Sequence, residues 1–229
     1  MSDDGEDFVI AATGLRAEAR IAARSGGVKA VTGGGDAARL GRLVRQLAAQ
    51  GGKAVLSFGI AAGLAPQYSA GTCLIGREVV YGNCSYPADP DWTASFKKLV
   101  GCADLVTIAG VDRPLRRPSE KQALHRASGA SAADMESHIV ARITAELALP
   151  FAVLRVIADP AERELPPAAL AGIRVDGVVE VGAVLASLAR SPRQFPGLIR
   201  LVADAGRARA ALFRCCDLLG PRLGFRDLS

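Results

Sequence analysis

The feature that most constrains this chain is a recurring pair: a continuously apolar run of strand length, then a stretch with helical periodicity. Phe8–Ala12, Lys53–Phe58, Asp104–Ala109 and Phe151–Ile157 are the apolar runs; two open on a charge, Lys53 and Asp104, and the only interruptions within them are Ser57, Thr107 and Arg155. A strand with one wet face alternates apolar and polar residues, whereas a run without alternation is buried on both faces. Helical patterns follow at Leu15–Ala23, Ala37–Ala49, Trp92–Val100, Glu120–Arg126 (with Ser119 as N-cap), Asp134–Leu147 and Gly177–Leu188. Thr72 to Tyr81 reads as a strand pair or one long extended segment. This order predicts an α/β fold of three layers, a central mixed, twisted and mainly parallel sheet flanked by helices.

Composition narrows the class. Half of the residues are hydrophobic, so a sizeable core is available. No apolar run reaches the ~18 residues of a membrane span. The start, Met1 to Asp7, is acidic and lacks the basic opening of a signal peptide, which predicts a cytoplasmic protein. The five cysteines show neither a Cys-x-x-Cys pair nor Cys/His metal spacing, so reduced thiols and no metal are expected. His125 and His138 lack a clustered third ligand and the company of a hydrolytic triad. Gly33-Gly34-Gly35 lacks the Gly-x-Gly-x-x-Gly spacing of a dinucleotide fingerprint.

The net charge of +5 is concentrated at the C-terminus. Arg190 to Ser229 holds eight arginines against three acids, and the rest of the chain balances. We therefore divide the chain into a domain over residues 1–190 and a basic amphipathic extension over 191–229. In Pro196–Leu219, residues Leu198, Leu201, Val202, Ala205, Leu212, Cys216 and Leu219 share one helical face, while Arg193, Arg200, Arg207 and Arg214 recur every seven residues. The ordinary reading packs the apolar face on the domain and solvates the arginines. The functional reading lays residues 191–219 on an anionic membrane as a peripheral contact. Few aromatics accompany the arginines, so no nucleic-acid partner is expected.

Three acids sit where ligands bind in open α/β sheets, near strand ends. Glu18 follows the first strand, Glu136 opens a helix and Asp159 ends a strand. An acid at an element end is more often a cap or a surface charge. Together, however, three carboxylates suit cleavage of a sugar C–N bond. That reaction needs an acid for the departing base, a group to hold the sugar hydroxyls, and an activated nucleophile.

Two stretches carry a resemblance: Ala132-Ala133-Asp134-Met135-Glu136, and Leu149-Pro150-Phe151 through Arg155 to Ile157-Ala158-Asp159. With Ala12-Thr13-Gly14-Leu15-Arg16-Ala17-Glu18 and Phe58-Gly59-Ile60-Ala61-Ala62-Gly63-Leu64, they resemble the purine/uridine phosphorylase superfamily over roughly residues 8 to 190. They are similar in particular to methylthioadenosine/S-adenosylhomocysteine nucleosidases. The run Asp134 to His138 and the basic C-terminus look most like the hopanoid-associated phosphorylase branch, whose substrate is thought to be adenosylhopane.

The resemblance implies a homodimer that takes a small-molecule nucleoside, with no cofactor beyond inorganic phosphate as a co-substrate. It implies Asp159 as the acid at N7 of adenine, Glu136 on the ribose hydroxyls, Met135 beneath the sugar and Glu18 as the base that activates water in hydrolytic members. Arg155 reads as a buried charge partner for one of the carboxylates. Val111 and Phe151 are the candidates to line the base. Three positions depart from the family pattern: Ile60 stands where many members have a hydroxyl, Ala158 replaces Ser beside the acid, and Ser137-His138 replaces smaller residues.

Water and phosphate compete as nucleophile. Arg16, Arg20, Gly14 and Gly34 are the phosphate candidates, with main-chain amides of the glycine run as anion donors. Ile60, Asp36 and Glu18 oppose an anion. The family resemblance tips the reading to phosphorolysis, with a hydrolytic nucleosidase as the alternative and a non-catalytic nucleoside-binding or membrane-associated protein as a third.

Overall fold

A computed structural model describes residues 7–166 and 195–226. The expected helix Gly177–Leu188 and the boundary at residue 190 lie outside the described residues. In chain order the elements are β1 (Phe8–Thr13), α1 (Arg16–Ala22), β2 (Val28–Thr32), α2 (Ala37–Ala49), β3 (Gly52–Gly63), β4 (Cys73–Tyr81) and β5 (Cys84–Pro87). They continue with α3 (Pro90–Leu99), β6 (Asp104–Gly110), α4 (Pro118–Ser128), β7 (Ala132–Asp134), α5 (Ser137–Leu147), β8 (Phe151–Asp159) and α6 (Phe195–Leu219), which ends in a 3₁₀ turn at Pro221–Gly224.

The architecture is the expected α/β fold with a mixed central sheet. β1 pairs in parallel with β2 and β3, β3 with β8, and β4 and β7 with β6. β4–β8, β3–β7 and β4–β5 are antiparallel. One consequence was not legible in the strand pattern. Strands β3, β8, β4, β6 and β7 return to β3, because β8 pairs with Val55–Ala62 while β7 pairs with Ala62 and Gly63 at the end of the same strand. The long β3 thus serves three neighbours, β1, β8 and β7, and it remains strand as far as Gly63.

The runs of β1 and β8, and Ala54–Phe58 of β3, are buried on both faces, whereas in β6 Leu105 is exposed and Thr107 half-buried. Val9, Ala11, Leu56, Leu154 and Val156 pack towards α1, α3 and α6; Ile10, Ala12, Val55, Val153 and Ile157 pack towards α2 and α5. Helix ends follow local chemistry. Asp36 and Asp89 accept the free first-turn amides of Arg39 and Trp92. Ser119 does not cap α4, which begins at Pro118; instead the Glu120 carboxylate reaches back to the amides of Arg116 and Arg117 at 2.8 and 3.0 Å.

The C-terminal helix packs on the sheet beside β8, but on a face rotated from the expected one. Ala208, Ala211, Leu212, Cys215, Cys216 and Leu219 are buried, whereas Val202 is 65 % exposed. Arg200, Arg207 and Arg214 are exposed. The second half of the apolar stripe drives docking. The first half gives way because Asp204, which is buried and ion-paired, takes the inward position instead.

Candidate functional site

The site is built at the carboxyl ends of β1, β3 and β8, with the β7–α5 turn beside them. At its centre is Arg155, on β8 and fully buried. A guanidinium without water needs oxygen partners. Its Nε lies 2.9 Å from Asp134 Oδ2, and Nη2 donates to Ser57 Oγ at 2.6 Å and Ser137 Oγ at 3.1 Å. Glu136 Oε2 is 3.9 Å from Nη2. The expectation that Arg155 is a buried charge partner holds.

Asp134 links this centre to the backbone. Its Oδ1 accepts the amides of Glu136 (2.8 Å) and Ser137 (2.6 Å), satisfying donors left free at the start of α5, and its Oδ2 accepts Ser137 Oγ at 2.6 Å. The sequence assigned no role in the site to Asp134, Ser57 or Ser137, although Asp134 stands in the family motif and Ser137 departs from it. A hydroxyl inside the apolar run of β3 was the available signal for Ser57.

Glu18 is 4 % exposed on the short helix α1. Its Oε2 accepts the amides of Gly14 (3.0 Å) and Leu15 (2.8 Å), and its Oε1 accepts Ile60 N at 2.9 Å. A side chain at position 60 is therefore irrelevant to this bond: the main chain supplies it. Glycine is required at two contacts. A Cβ on Gly59 would fall 2.6 Å from Arg155 Nη1 and 2.7 Å from Glu18 Oε1; one on Gly14 would fall 2.7 Å from Glu136 Oε1. The absence of side chains at these positions lets Glu18, Glu136 and Arg155 close on one another.

Electrostatics follow from one cation shared among several acids. Burial pushes the Glu136 carboxyl up to about 8; Arg155 opposes this, and Asp134 and Glu18 reinforce it. Burial also raises Glu18, against Arg155 and its three amide donors. A buried carboxyl resists ionisation, so Glu136 retains its proton near neutral pH.

Asp159 stands apart from that network, at the end of β8 opposite Ala62 of β3. Its partner is Lys121 of α4, which the sequence reading passed over as part of a helix. Lys121 is fully buried, with Nζ 2.6 Å from Asp159 Oδ2. Burial raises the Asp159 carboxyl to about 6, with Lys121 pulling the other way.

Among the remaining candidates, Met135 is half-buried in the β7–α5 turn, next to Glu136. Val111 is half-buried at the end of β6, its amide donating to Asp134 O. Phe151 requires correction. It begins β8, opposite Val55 in the core, eight residues from Asp159. At ~3.3 Å per residue that separation is about 26 Å, so it cannot line a base held at Asp159. Arg16 and Arg20 are exposed on α1. The amides of Gly33 and Gly34 donate to Thr13 O and Gly14 O, while Asp36 caps α2, so the glycine run turns the chain from β2 into α2. His138 packs on Tyr81 with ring centroids 4.3 Å apart, and its Nε2 is 3.4 Å from Asp112 Oδ1.

This fold, with acids gathered at strand ends, defines a class. Residues 11–183 match the phosphorylase superfamily, and the chain belongs to that family. Solved structures of similar fold include the futalosine hydrolase of Helicobacter pylori (17 % identity, 87 % of this chain and 98 % of that one, TM-score 0.61). The 5′-methylthioadenosine/S-adenosyl homocysteine nucleosidase of the same bacterium is similar at 18 % identity over 88 % and 100 %, TM-score 0.62. The nucleosidase of Neisseria meningitidis, solved with methylthio-immucillin-A, is similar at 14 % identity over 91 % and 98 %, TM-score 0.62. No protein of curated function matches the sequence.

Proposed function

We propose that the protein cleaves the N-glycosidic bond of a 5′-substituted adenosine and releases adenine. The observation that carries this reading is the closure of Glu18 and Glu136 on buried Arg155, with the ion-paired Asp159 four residues further along the same strand. Asp159 delivers a proton to N7 as the C1′–N9 bond breaks and its electron pair leaves with the base. Glu136 holds the ribose hydroxyls and Met135 packs beneath the sugar. Water adds to the oxocarbenium-like C1′, and Glu18 takes its proton. Val111 lines the base.

Two observations favour water as nucleophile: Glu18 is fixed by three amides, and the Gly33 and Gly34 amides are already engaged. Phosphorolysis is the second reading, supported by exposed Arg16 and Arg20 on the helix that carries Glu18. The resemblance to the hopanoid-associated branch extends the 5′ substituent to a hopanyl group, as in adenosylhopane. In that setting, α6 meets the inner face of a membrane through exposed Ile199 and Val202 beside Arg200. No helix among the described residues is long and apolar enough to cross a membrane. A cytoplasmic homodimer, with residues 191–229 as an extension of the domain over 1–190, completes the proposal.

The test is adenine release from 5′-alkyl adenosines with and without inorganic phosphate. Release independent of phosphate is expected. Release only with phosphate selects the second reading, and no release from any adenosine rejects both. Flotation with anionic liposomes tests the membrane contact, which fails if full-length protein stays unbound.

A further inference from the structure

Lys121 is the one fully buried lysine among the described residues. Every proton-bearing direction of its ammonium is used. Nζ meets Asp159 Oδ2 at 2.6 Å and donates to Pro160 O at 2.7 Å and Arg163 O at 2.9 Å, with Asp159 O at 3.4 Å. A lysine can be held dry only where oxygens replace its hydration shell. Here those oxygens are the carboxylate of Asp159 and the carbonyls of the turn that follows it. The other carboxylate oxygen, Oδ1, has no hydrogen-bond partner among the described residues.

We propose that Lys121 is the positioning residue of the acid: it pins Oδ2 of Asp159 and the turn at residues 160–163, and so leaves Oδ1 to meet the departing base. This rests on the proposed cleavage reaction. The substitution of Ala158 for Ser fits the arrangement, since the aspartate is held from α4 rather than by its chain neighbour. Other charges face the pair. Arg163 and Glu162 lie on the turn, and Asp204 of α6 sits 3.1 Å from Arg163 Nη2. Arg163 and Asp204 act on Asp159 with opposite signs. Lys121 is thus the cation whose removal is least compensated.

The experiment compares wild type, Lys121→Met, Lys121→Arg and Asp159→Asn in adenine release across pH. The acid must be protonated to act, and removing a neighbouring cation favours its protonated form. In Lys121→Met the alkaline limb of kcat/KM therefore moves to higher pH, by about 1–3 pH units. Its plateau kcat falls about 10²-fold from misplacement, with KM little changed. Lys121→Arg restores the position of the limb. An active, folded Lys121→Met with an unmoved limb overturns the proposal. If wild type releases no adenine, or Asp159→Asn is fully active, it is the reaction reading that fails. Should Lys121→Met not fold, the near-isosteric Asp159→Asn decides: by ¹⁵N NMR, Lys121 Nζ titrates at lower pH there than in wild type. Identical titration in the two overturns the pairing.

Discussion

The two halves of the site solve the same problem in different ways. Around Arg155, one guanidinium serves Asp134 directly and Glu136 and Glu18 at longer range, and seven hydroxyl or amide donors and acceptors complete the network. Around Asp159, one ammonium serves one carboxylate. The first half has more acids than cations, so burial holds Glu136 up at about 8. The second is balanced, and Asp159 rises only to about 6. A surplus of acids keeps a proton in the sugar-facing half, whereas the paired half holds an acid that ionises within reach of neutral pH. That division suits a site in which one half binds hydroxyls and the other transfers a proton.

The comparison breaks most sharply at Asp159. Asp159→Asn keeps the shape but removes the transferable proton, and turnover is expected to fall about 10²–10⁴-fold. Steady-state adenine release reads this directly, and wild-type kcat in that variant removes the acid role. Next is Arg155→Met, which leaves the buried Asp134 carboxylate without its cation. Unfolding in urea should show a loss of about 3–5 kcal/mol; a loss below about 1 kcal/mol would mean that the hydroxyls and amides suffice.

A smaller effect comes from pH. The folded-state pKa of Glu136 is raised, so the folded protein binds a proton that the unfolded chain releases between 4.5 and about 8. The stabilisation from that proton is fully present below 4.5 and is lost as pH rises through about 8. Glu136→Gln should flatten this part of the Tm-against-pH curve, and Tm of the wild type should drop more than that of the variant from pH 5.5 to 8.5. Equal slopes would show that Glu136 ionises normally. The smallest effect is reserved for the surface. Arg45 and Glu146 form an ion pair with both side chains about half exposed, and Arg45→Ala should change stability by no more than about 1 kcal/mol.

The candidate site was legible where a residue's role depends on its place along its own strand or turn. Glu18, Glu136 and Asp159 stand just past apolar runs or at a helix start, and the fold carries them to strand ends. Arg155 announced itself as a charge within a run buried on both faces. Lys121 gave no such signal: in a helix rich in polar residues, a lysine that faces inward looks like those that face water. Phe151 misled in the opposite sense. Its motif neighbours Asp159 in sequence, but an extended strand separates the two by its full length.

What the sequence determined by itself was the layer order and the burial of β1, β3 and β8 on both faces, because those follow from local periodicity. Which strand ends meet was decided only by the tertiary structure. The split pairing of β3 with β8 and β7 brings residues 18, 59, 136 and 155 together, and the packing of α4 on the turn after β8 gives Asp159 its lysine. These contacts join residues many positions apart. Their energies come from desolvated charges and backbone groups that find partners only once the sheet has closed, and no local pattern encodes that closure.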